Sequence, residues 1–202
     1  MGTPGRGGAP LRIIAGHWRG RKLRSPTGDL VRPTTDRTKE ALFNILGPQV
    51  EGAWVLDLCC GAGGLGLEAL SRGAARIIFV DRAHSSLKAA QINLELCAAE
   101  QATYQLECGE SMAWLRTWAG SQGAPWILIC DPPYQSSLAA AMMSFITAAQ
   151  QPPDMVCAVI EYGPRTPDIP ADAPGWQLRR YGESHLAIYR PGAEAPSQEL
   201  RP

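Results

Sequence analysis

The chain has 202 residues, 45% of them hydrophobic, and its 19 basic side chains balance 19 acidic ones. That length and composition fit one domain with a sizeable core and room for a small appendage, and no apolar run approaches membrane-spanning length. Six cysteines show no Cys-x-x-Cys spacing, so neither a disulfide framework nor a zinc site is expected and reduced thiols in a cytoplasm fit better.

The charge balance is uneven. The first 40 residues carry nine Lys or Arg against three Asp or Glu, and the remainder ten against sixteen, so a segment of +6 precedes a body of −6. This is the pattern of a basic arm on an acidic body, and it suits a nucleic-acid partner. Residues 1–10, rich in Gly and Pro and without an apolar stretch, read as a disordered tail rather than a secretory leader.

From Leu11 the chain reads Leu-Arg-Ile-Ile-Ala-Gly-His-Trp-Arg-Gly-Arg-Lys-Leu, which predicts two short strands, 11–14 and 21–23, joined across Gly16 to Gly20. Such a hairpin gathers Arg12, His17, Trp18, Arg19, Arg21 and Lys22. Cations of this kind neutralise phosphates, and an aromatic ring can stack on an unpaired base. For Trp18 a packing anchor is an equally good reading. Residues 25–32 read as loop. Arg32-Pro33-Thr34-Thr35-Asp36-Arg37 then leads into a helix over 38–46, with Thr35 as N-cap, Asp36 in the first turn and Gly47-Pro48 as the stop. Arg32, Thr34 and Arg37 are candidate phosphate contacts around that turn.

Residues 54–70, Trp-Val-Leu-Asp-Leu-Cys-Cys-Gly-Ala-Gly-Gly-Leu-Gly-Leu-Glu-Ala-Leu, form a buried strand ending in an acid, a glycine-dense turn and a helix start. Such a loop seats a ligand at the carboxyl edge of a parallel sheet. The P-loop pattern Gly-x-x-x-x-Gly-Lys-Ser/Thr is absent. Gly61-x-Gly63-x-x-Gly66 does fit a dinucleotide fingerprint, which alone is a weak signal. Asp57, just before the glycines, repels a pyrophosphate but suits an ammonium, and this favours S-adenosylmethionine over NAD. Asp57, Cys59, Gly61 and Gly63 are the cofactor candidates here.

A second strand, Arg76-Ile77-Ile78-Phe79-Val80-Asp81, ends in an acid 20 residues after Gly61. Asp81 can accept ribose hydroxyls, and Arg82 follows it. A helix over 83–97 and a strand over 103–107 come next, then a helix opening at 108–112 and running through 118. There Glu110 can reach an adenine amino group, Ser111 lies beside it, and Met112 can pack on the ring. A helix-end charge and a core methionine explain Glu110 and Met112 equally well.

The strand 125–130 runs directly into Asp131-Pro132-Pro133-Tyr134. Two prolines fix φ and remove two donors, so the turn is stiff. Asp131 and the Pro132 carbonyl can converge on one amino group, while Tyr134 stacks on the ring that carries it. These four residues are the catalytic candidates. A helix over 136–150, a strand over 155–161, a proline-rich loop over 164–174 and an antiparallel hairpin of 176–181 with 185–189, turning at Gly182-Glu183, follow. Residues 191–202 read as a second disordered tail.

A methyl donor at one strand tip and an amine clamp at the next make a methyltransferase. An exocyclic amine on a base is a poor nucleophile because its lone pair is conjugated into the ring, so positioning supplies most of the rate. A stacked base must first be flipped out or come from a loop.

Four segments carry a more specific likeness: Arg-Ile-Ile-Ala-Gly-His-Trp-Arg-Gly-Arg-Lys-Leu, Arg-Pro-Thr-Thr-Asp-Arg-Thr-Lys-Glu-Ala-Leu-Phe-Asn-Ile-Leu, Leu-Asp-Leu-Cys-Cys-Gly-Ala-Gly-Gly-Leu-Gly-Leu-Glu-Ala-Leu-Ser-Arg-Gly-Ala and Asp-Pro-Pro-Tyr. Over roughly residues 11–190 the chain resembles the RsmD family, bacterial methyltransferases acting on guanine N2 of 16S ribosomal RNA. The resemblance implies an α/β protein with a Rossmann-like, S-adenosylmethionine-dependent sheet of seven strands, the last hairpin antiparallel, and a small N-terminal β-hairpin extension. It implies a disordered tail over 1–10, a basic extension over 11–35, a methyltransferase domain over 36–190 and a tail over 191–202. It also implies a guanine of the 966 type as target, in the 30S subunit or its assembly intermediate. A cytoplasmic, monomeric enzyme without metal or membrane partner is expected. Cys59-Cys60-Gly61-Ala62-Gly63 stands where that family commonly has Phe-Ala-Gly-Ser-Gly, and Glu110 where it often has Asp or Asn. The rival readings are an amino-methyltransferase for adenine N6, cytosine N4 or a protein glutamine amide, and a non-catalytic RNA-binding assembly factor. An intact Asp131 clamp speaks against the last.

Overall fold

The structure is a computed structural model that describes residues 11–25, 35–166, 169, 174–181 and 184–192. Strands β1 (Trp54–Leu58), β2 (Arg76–Asp81), β3 (Tyr104–Cys108), β4 (Trp126–Cys130), β5 (Met155–Tyr162), β6 (Trp176–Tyr181) and β7 (Ser184–Tyr189) form one sheet in the order β3-β2-β1-β4-β5-β7-β6. The first five run parallel; β7 is antiparallel to β5 and carries β6 on its outer side. The helices are α1 (Asp36–Leu46), α2 (Gly64–Ser71), α3 (His84–Leu96), α4 (Ser111–Thr117) and α5 (Leu138–Thr147). Among the described residues no helix is long and apolar enough to cross a membrane.

The central strands are covered on both faces, which is why they read as unbroken apolar runs. Alternation along each strand sends Val55, Phe79, Ile129 and Val159 toward Leu42, Phe43, Leu67 and Leu94 of α1, α2 and α3. Leu56, Val80, Leu128 and Ile160 go the other way, against Leu115, Met142, Met143 and Ile146 of α4 and α5. Helix α2 sits close on β2 because residue 66 is glycine: a Cβ there would stand 2.3 Å from the Phe79 ring. Chain order reverses at β1, which pairs with β2 on one side and β4 on the other. Ligands of open α/β sheets bind at the carboxyl ends of strands at such a switch point.

Several boundaries move from the sequence reading. Thr35 caps α1 as expected, accepting from the Thr38 N–H at 3.2 Å, and Gly47 ends it as expected at φ +56°, with a separate 3₁₀ turn following through Val50. Strand β3 starts one residue later than expected because Thr103 closes a 3₁₀ turn. Helix α5 starts at Leu138 instead of residue 136, since the Ser136 N–H and hydroxyl both donate to the Pro133 carbonyl. The turn at Gly182-Glu183 lies outside the described residues.

The two short N-terminal strands do not form as a ladder. One antiparallel bridge, Arg12 with Lys22, marks the hairpin, supported by bonds from the Ile13 N–H to the Arg21 carbonyl and from the Leu23 N–H to the Leu11 carbonyl. The physical reason lies in α2. The Ile14 and Ala15 N–H groups go to the two carboxylate oxygens of Glu68 at 2.8 and 2.9 Å. The His17 and Trp18 N–H groups go to the Ser71 carbonyl and hydroxyl at 2.7 and 2.9 Å. Backbone donors that a longer ladder needs are spent docking the segment on the main body. Gly16, at φ +81°, makes the approach: a Cβ there would overlap the Ser71 carbonyl oxygen at 1.8 Å.

Candidate active site

The loop between β1 and α2 is braced from inside by three polar side chains. Asp57, 1% exposed, accepts the Gly66 N–H at 2.8 Å. Asp81 accepts the Gly61 N–H at 2.9 Å with one oxygen and the Ala83 N–H at 2.8 Å with the other. Asn93 of α3 donates to the Ala62 carbonyl at 3.0 Å. The Asp57 carboxylate therefore points into the loop's own frame rather than outward. Burial pushes its pKa well above the ordinary carboxylate value, with the charges of Asp131, Cys59 and Asp81 adding to the rise. Gly61 and Gly63 take positive φ, and so does Cys59 at φ 59°, unusual for a residue with a side chain.

The Cys59 thiol reaches Ser111 at the start of α4, with 3.3 Å between Sγ and Oγ, and it also bonds Cys130 at the tip of β4. These bonds, the Cys130 one foremost, pull the Cys59 thiol down, whereas burial pushes Cys60 and Cys130 well up. Arg82 and Glu110 form an exposed ion pair at 3.8 Å. Met112 is half-buried against the α4–α5 side of the core.

The Asp131-Pro132-Pro133-Tyr134 turn leaves the strand next to β1. Leu58 lies opposite Cys130 in the register of the two strands, so Cys59 and Asp131 emerge side by side. Pro133 gives its carbonyl to Ser136. Tyr134 is held from three sides. Its hydroxyl donates to Glu161 at 2.6 Å, its carbonyl accepts the Thr166 hydroxyl at 2.8 Å, and its ring lies where a Gly163 Cβ would be, 2.7 Å away. Burial, then the Glu161 bond, pushes the phenol pKa far up. The ring is thus fixed in place.

Sequence reasoning missed Glu161, which is 2% exposed and has one buried carboxylate oxygen without a hydrogen-bond partner among the described residues. It also missed Ser184, which bonds Tyr134 and accepts the Thr38 hydroxyl at 3.3 Å. The one available signal was an acid closing the apolar run of β5. Glu68 and Lys39, both 0% exposed, were missed as well. Lys39 donates to the Arg12 carbonyl at 2.6 Å and lies 4.0 Å from Glu68, which also takes Arg72 at 2.9 Å.

Of the nucleic-acid candidates, Arg12, His17, Arg19, Arg21, Lys22 and Arg37 are exposed. Arg12 pairs with Asp36 at 2.8 Å and Arg21 donates to the Leu96 carbonyl. Trp18 is half-buried against the core and edge-on to His17, which fits the packing anchor. Arg32 and Thr34 lie outside the described residues. Arg24 exchanges bonds with Asn93, its N–H donating at 2.7 Å and its carbonyl accepting at 2.9 Å, so one side chain ties the basic segment to the glycine loop.

The family described as Conserved hypothetical protein 95 matches residues 11–190. Ribosomal RNA small subunit methyltransferase D of Escherichia coli (strain K12) is 35% identical over 191 residues, covering 91% of this chain and 90% of that protein. Among solved structures, yhhF from Escherichia coli superposes with a TM-score of 0.71 at 30% identity, covering 90% of this chain and 98% of that one. Magnesium protoporphyrin IX methyltransferase from Synechocystis PCC 6803, with bound SAM, shares the fold at a TM-score of 0.55 and 16% identity, over 76% of this chain and 77% of that one.

Proposed function

Given that this chain belongs to the RsmD family, we propose that it methylates small-subunit ribosomal RNA with S-adenosylmethionine, the target being the exocyclic N2 of a guanine of the 966 type in 16S rRNA. One observation carries the reading: the glycine loop and the Asp131 turn leave paired strands, with Leu58 opposite Cys130, and so open on one edge.

The residues present fit the cofactor. Space is open where Cβ atoms of Gly61 and Gly109 would stand, on either side of Asp81. Each Asp81 oxygen uses one lone pair on the backbone and keeps another for a ribose hydroxyl. Asp57, Asp81 and Asp131 crowd the same edge closely enough for two of them to raise the pKa of the third. Such a negative field favours a cationic ligand and opposes a pyrophosphate. Cys59, Ser111 and Met112 line the neighbouring strand tips, with Arg82 and Glu110 at the exposed rim.

S-adenosylmethionine supplies a methyl group on a sulfonium, an electrophile that needs no further activation. Asp131 and the Pro132 carbonyl accept the two hydrogens of the target amine and turn its lone pair toward the glycine loop. The stiffness of Pro132-Pro133 keeps these acceptors in place, and fixed geometry of this kind removes an entropic part of the barrier. Tyr134, held by Glu161, offers its ring to the base. The Asp131 carboxylate takes the proton that the amine sheds. Arg12, Arg19, Arg21, Lys22 and Arg37 supply phosphate contacts.

The test is labelled methyl transfer to 30S particles lacking the modification, followed by nucleoside analysis. The expected product is N2-methylguanosine. Asp131→Ala is expected to lower turnover by about a hundredfold or more while cofactor affinity is retained. Label on adenine overturns the assigned base, and unchanged turnover in the variant overturns the clamp.

A further inference from the structure

A cleft of about 460 Å³ lies between α1 and the β6–β7 hairpin, and none of residues 11–25 lines it. Its polar lining is Arg37, Glu40 and Asn44 from α1, Arg179 and Tyr181 from β6, and Arg190 after β7. Among the described residues that line it, three guanidiniums face a single carboxylate, a local excess of +2 in a chain whose net charge is zero. Arg190 is anchored, one nitrogen donating to the Ile45 carbonyl at 2.8 Å, so its charge is fixed at the far end of α1. Arg37 stands at the other end, eight residues away, roughly 12 Å along the helix. One phosphate cannot span that interval, but a phosphodiester chain can.

The cleft also leads somewhere. Arg37 precedes Thr38, whose hydroxyl donates to Ser184, and Ser184 bonds Tyr134 of the amine clamp. Tyr181 is paired with Ser184 in the β6–β7 ladder. The Arg37 end of the cleft therefore opens beside the catalytic candidates, and the Arg190 end lies toward the opposite edge of the sheet.

We propose that this cleft is a second RNA track, separate from the N-terminal segment, in which Arg37, Arg179 and Arg190 hold successive backbone phosphates of the strand that delivers the target base. This rests on the RNA-methyltransferase reading above. Guanidinium forks pair well with phosphate oxygens, and Tyr181 and Asn44 add neutral contacts to sugar or base. A duplex and a single strand present the same backbone chemistry, and the salt response separates them.

The experiment uses the full chain and 30S particles lacking the modification. Particle affinity is measured by filter retention at about 50 and about 200 mM salt, with methyl transfer and cofactor affinity measured on the same preparations. Arg37→Gln/Arg179→Gln removes two contacts and leaves the anchored Arg190 in place. Each lost phosphate contact flattens the logarithmic salt slope by about 0.7 on a single strand and about 0.9 on a duplex. Over the fourfold salt rise, the wild type is then expected to lose affinity roughly sevenfold (single strand) to twelvefold (duplex) more than the double variant. Glu40→Gln, which removes the one opposing charge, is expected to bind more tightly and to keep the wild-type cofactor affinity. Identical salt responses in wild type and double variant, or no tightening in Glu40→Gln, overturn the track. Wild type that binds particles but transfers no methyl group overturns the proposed reaction instead, and the track is still judged on the binding curves.

Discussion

Glu68 is the joint on which the N-terminal segment hangs, and replacing it with glutamine isolates that role. The substitution is isosteric, so it opens no cavity. It fails because both carboxylate oxygens are acceptors for different donors, Ile14 N–H on one and Ala15 N–H with Arg72 on the other. An amide has a single oxygen, so one buried donor must face an NH₂ group, at about 1–3 kcal/mol. Lys39 then loses the negative charge 4.0 Å away. Removing one partner of a buried pair typically costs about 3–5 kcal/mol, and since the effects share partners they do not simply add. A loss of about 4 kcal/mol corresponds to roughly 10 °C in Tm for a chain of this size. Urea unfolding measures it. The pH dependence gives a second check. Burial lowers the Lys39 pKa below 10.5, with Glu68 opposing that fall. The folded state therefore binds fewer protons than the unfolded one, and stability rises with pH up to the unfolded pKa. In Glu68→Gln the window extends to lower pH, so its deficit should shrink as pH rises toward the unfolded value of 10.5. Lys39→Met placed on top should recover part of the loss. A deficit below about 1 kcal/mol, or one that Lys39→Met leaves unchanged, refutes the buried-pair argument.

Two further outcomes are expected. Because burial raises the Asp57 pKa well above 3.8, the folded state holds a proton there that the unfolded state releases, and that contribution is lost as pH rises through the folded pKa. Asp57→Asn keeps an acceptor for the Gly66 N–H and removes the buried charge. It should gain stability relative to wild type as pH goes from acid to neutral, while cofactor affinity falls by about tenfold or more; a pH-independent gap in urea melts contradicts this. Tyr134→Phe strips Glu161 of its 2.6 Å bond and leaves that buried carboxylate short of a donor, at about 1–3 kcal/mol. Single-turnover transfer should slow about tenfold with cofactor affinity unchanged, and full-rate transfer from a destabilised variant shows that the locked ring does not matter.

The strands were legible because both faces of the sheet are covered: Val-Leu-Asp-Leu and Ile-Leu-Ile-Cys need no partner to declare themselves buried. Thr35 announced α1 through a local cap. What stayed hidden depends on distant partners. Glu68 reads as an ordinary acid on a helix until Ile14, Ala15 and Lys39 arrive from 54, 53 and 29 residues upstream. Glu161 reads as the polar end of a strand until Tyr134 folds back onto it. The early start expected for α5 fails for a local reason: Ser136 donates twice to the Pro133 carbonyl and keeps the chain in a turn.

The glycine motif suggests a cofactor seat but does not say what holds the loop in shape. Gly66, Gly61 and Ala62 are fixed by Asp57, Asp81 and Asn93, drawn from β1, β2 and α3. A loop held at three points by separate elements does not need a ligand to take its shape, which lowers the ordering cost of binding. Asn93 spends its remaining bonds on Arg24 of the basic segment, and Glu68 in the following helix holds Ile14 and Ala15 of the same segment. The N-terminal segment is therefore part of the frame that sets the loop, not an arm added to it. Loosening its docking should disturb the cofactor edge even though the exposed arginines and lysine of the segment point elsewhere.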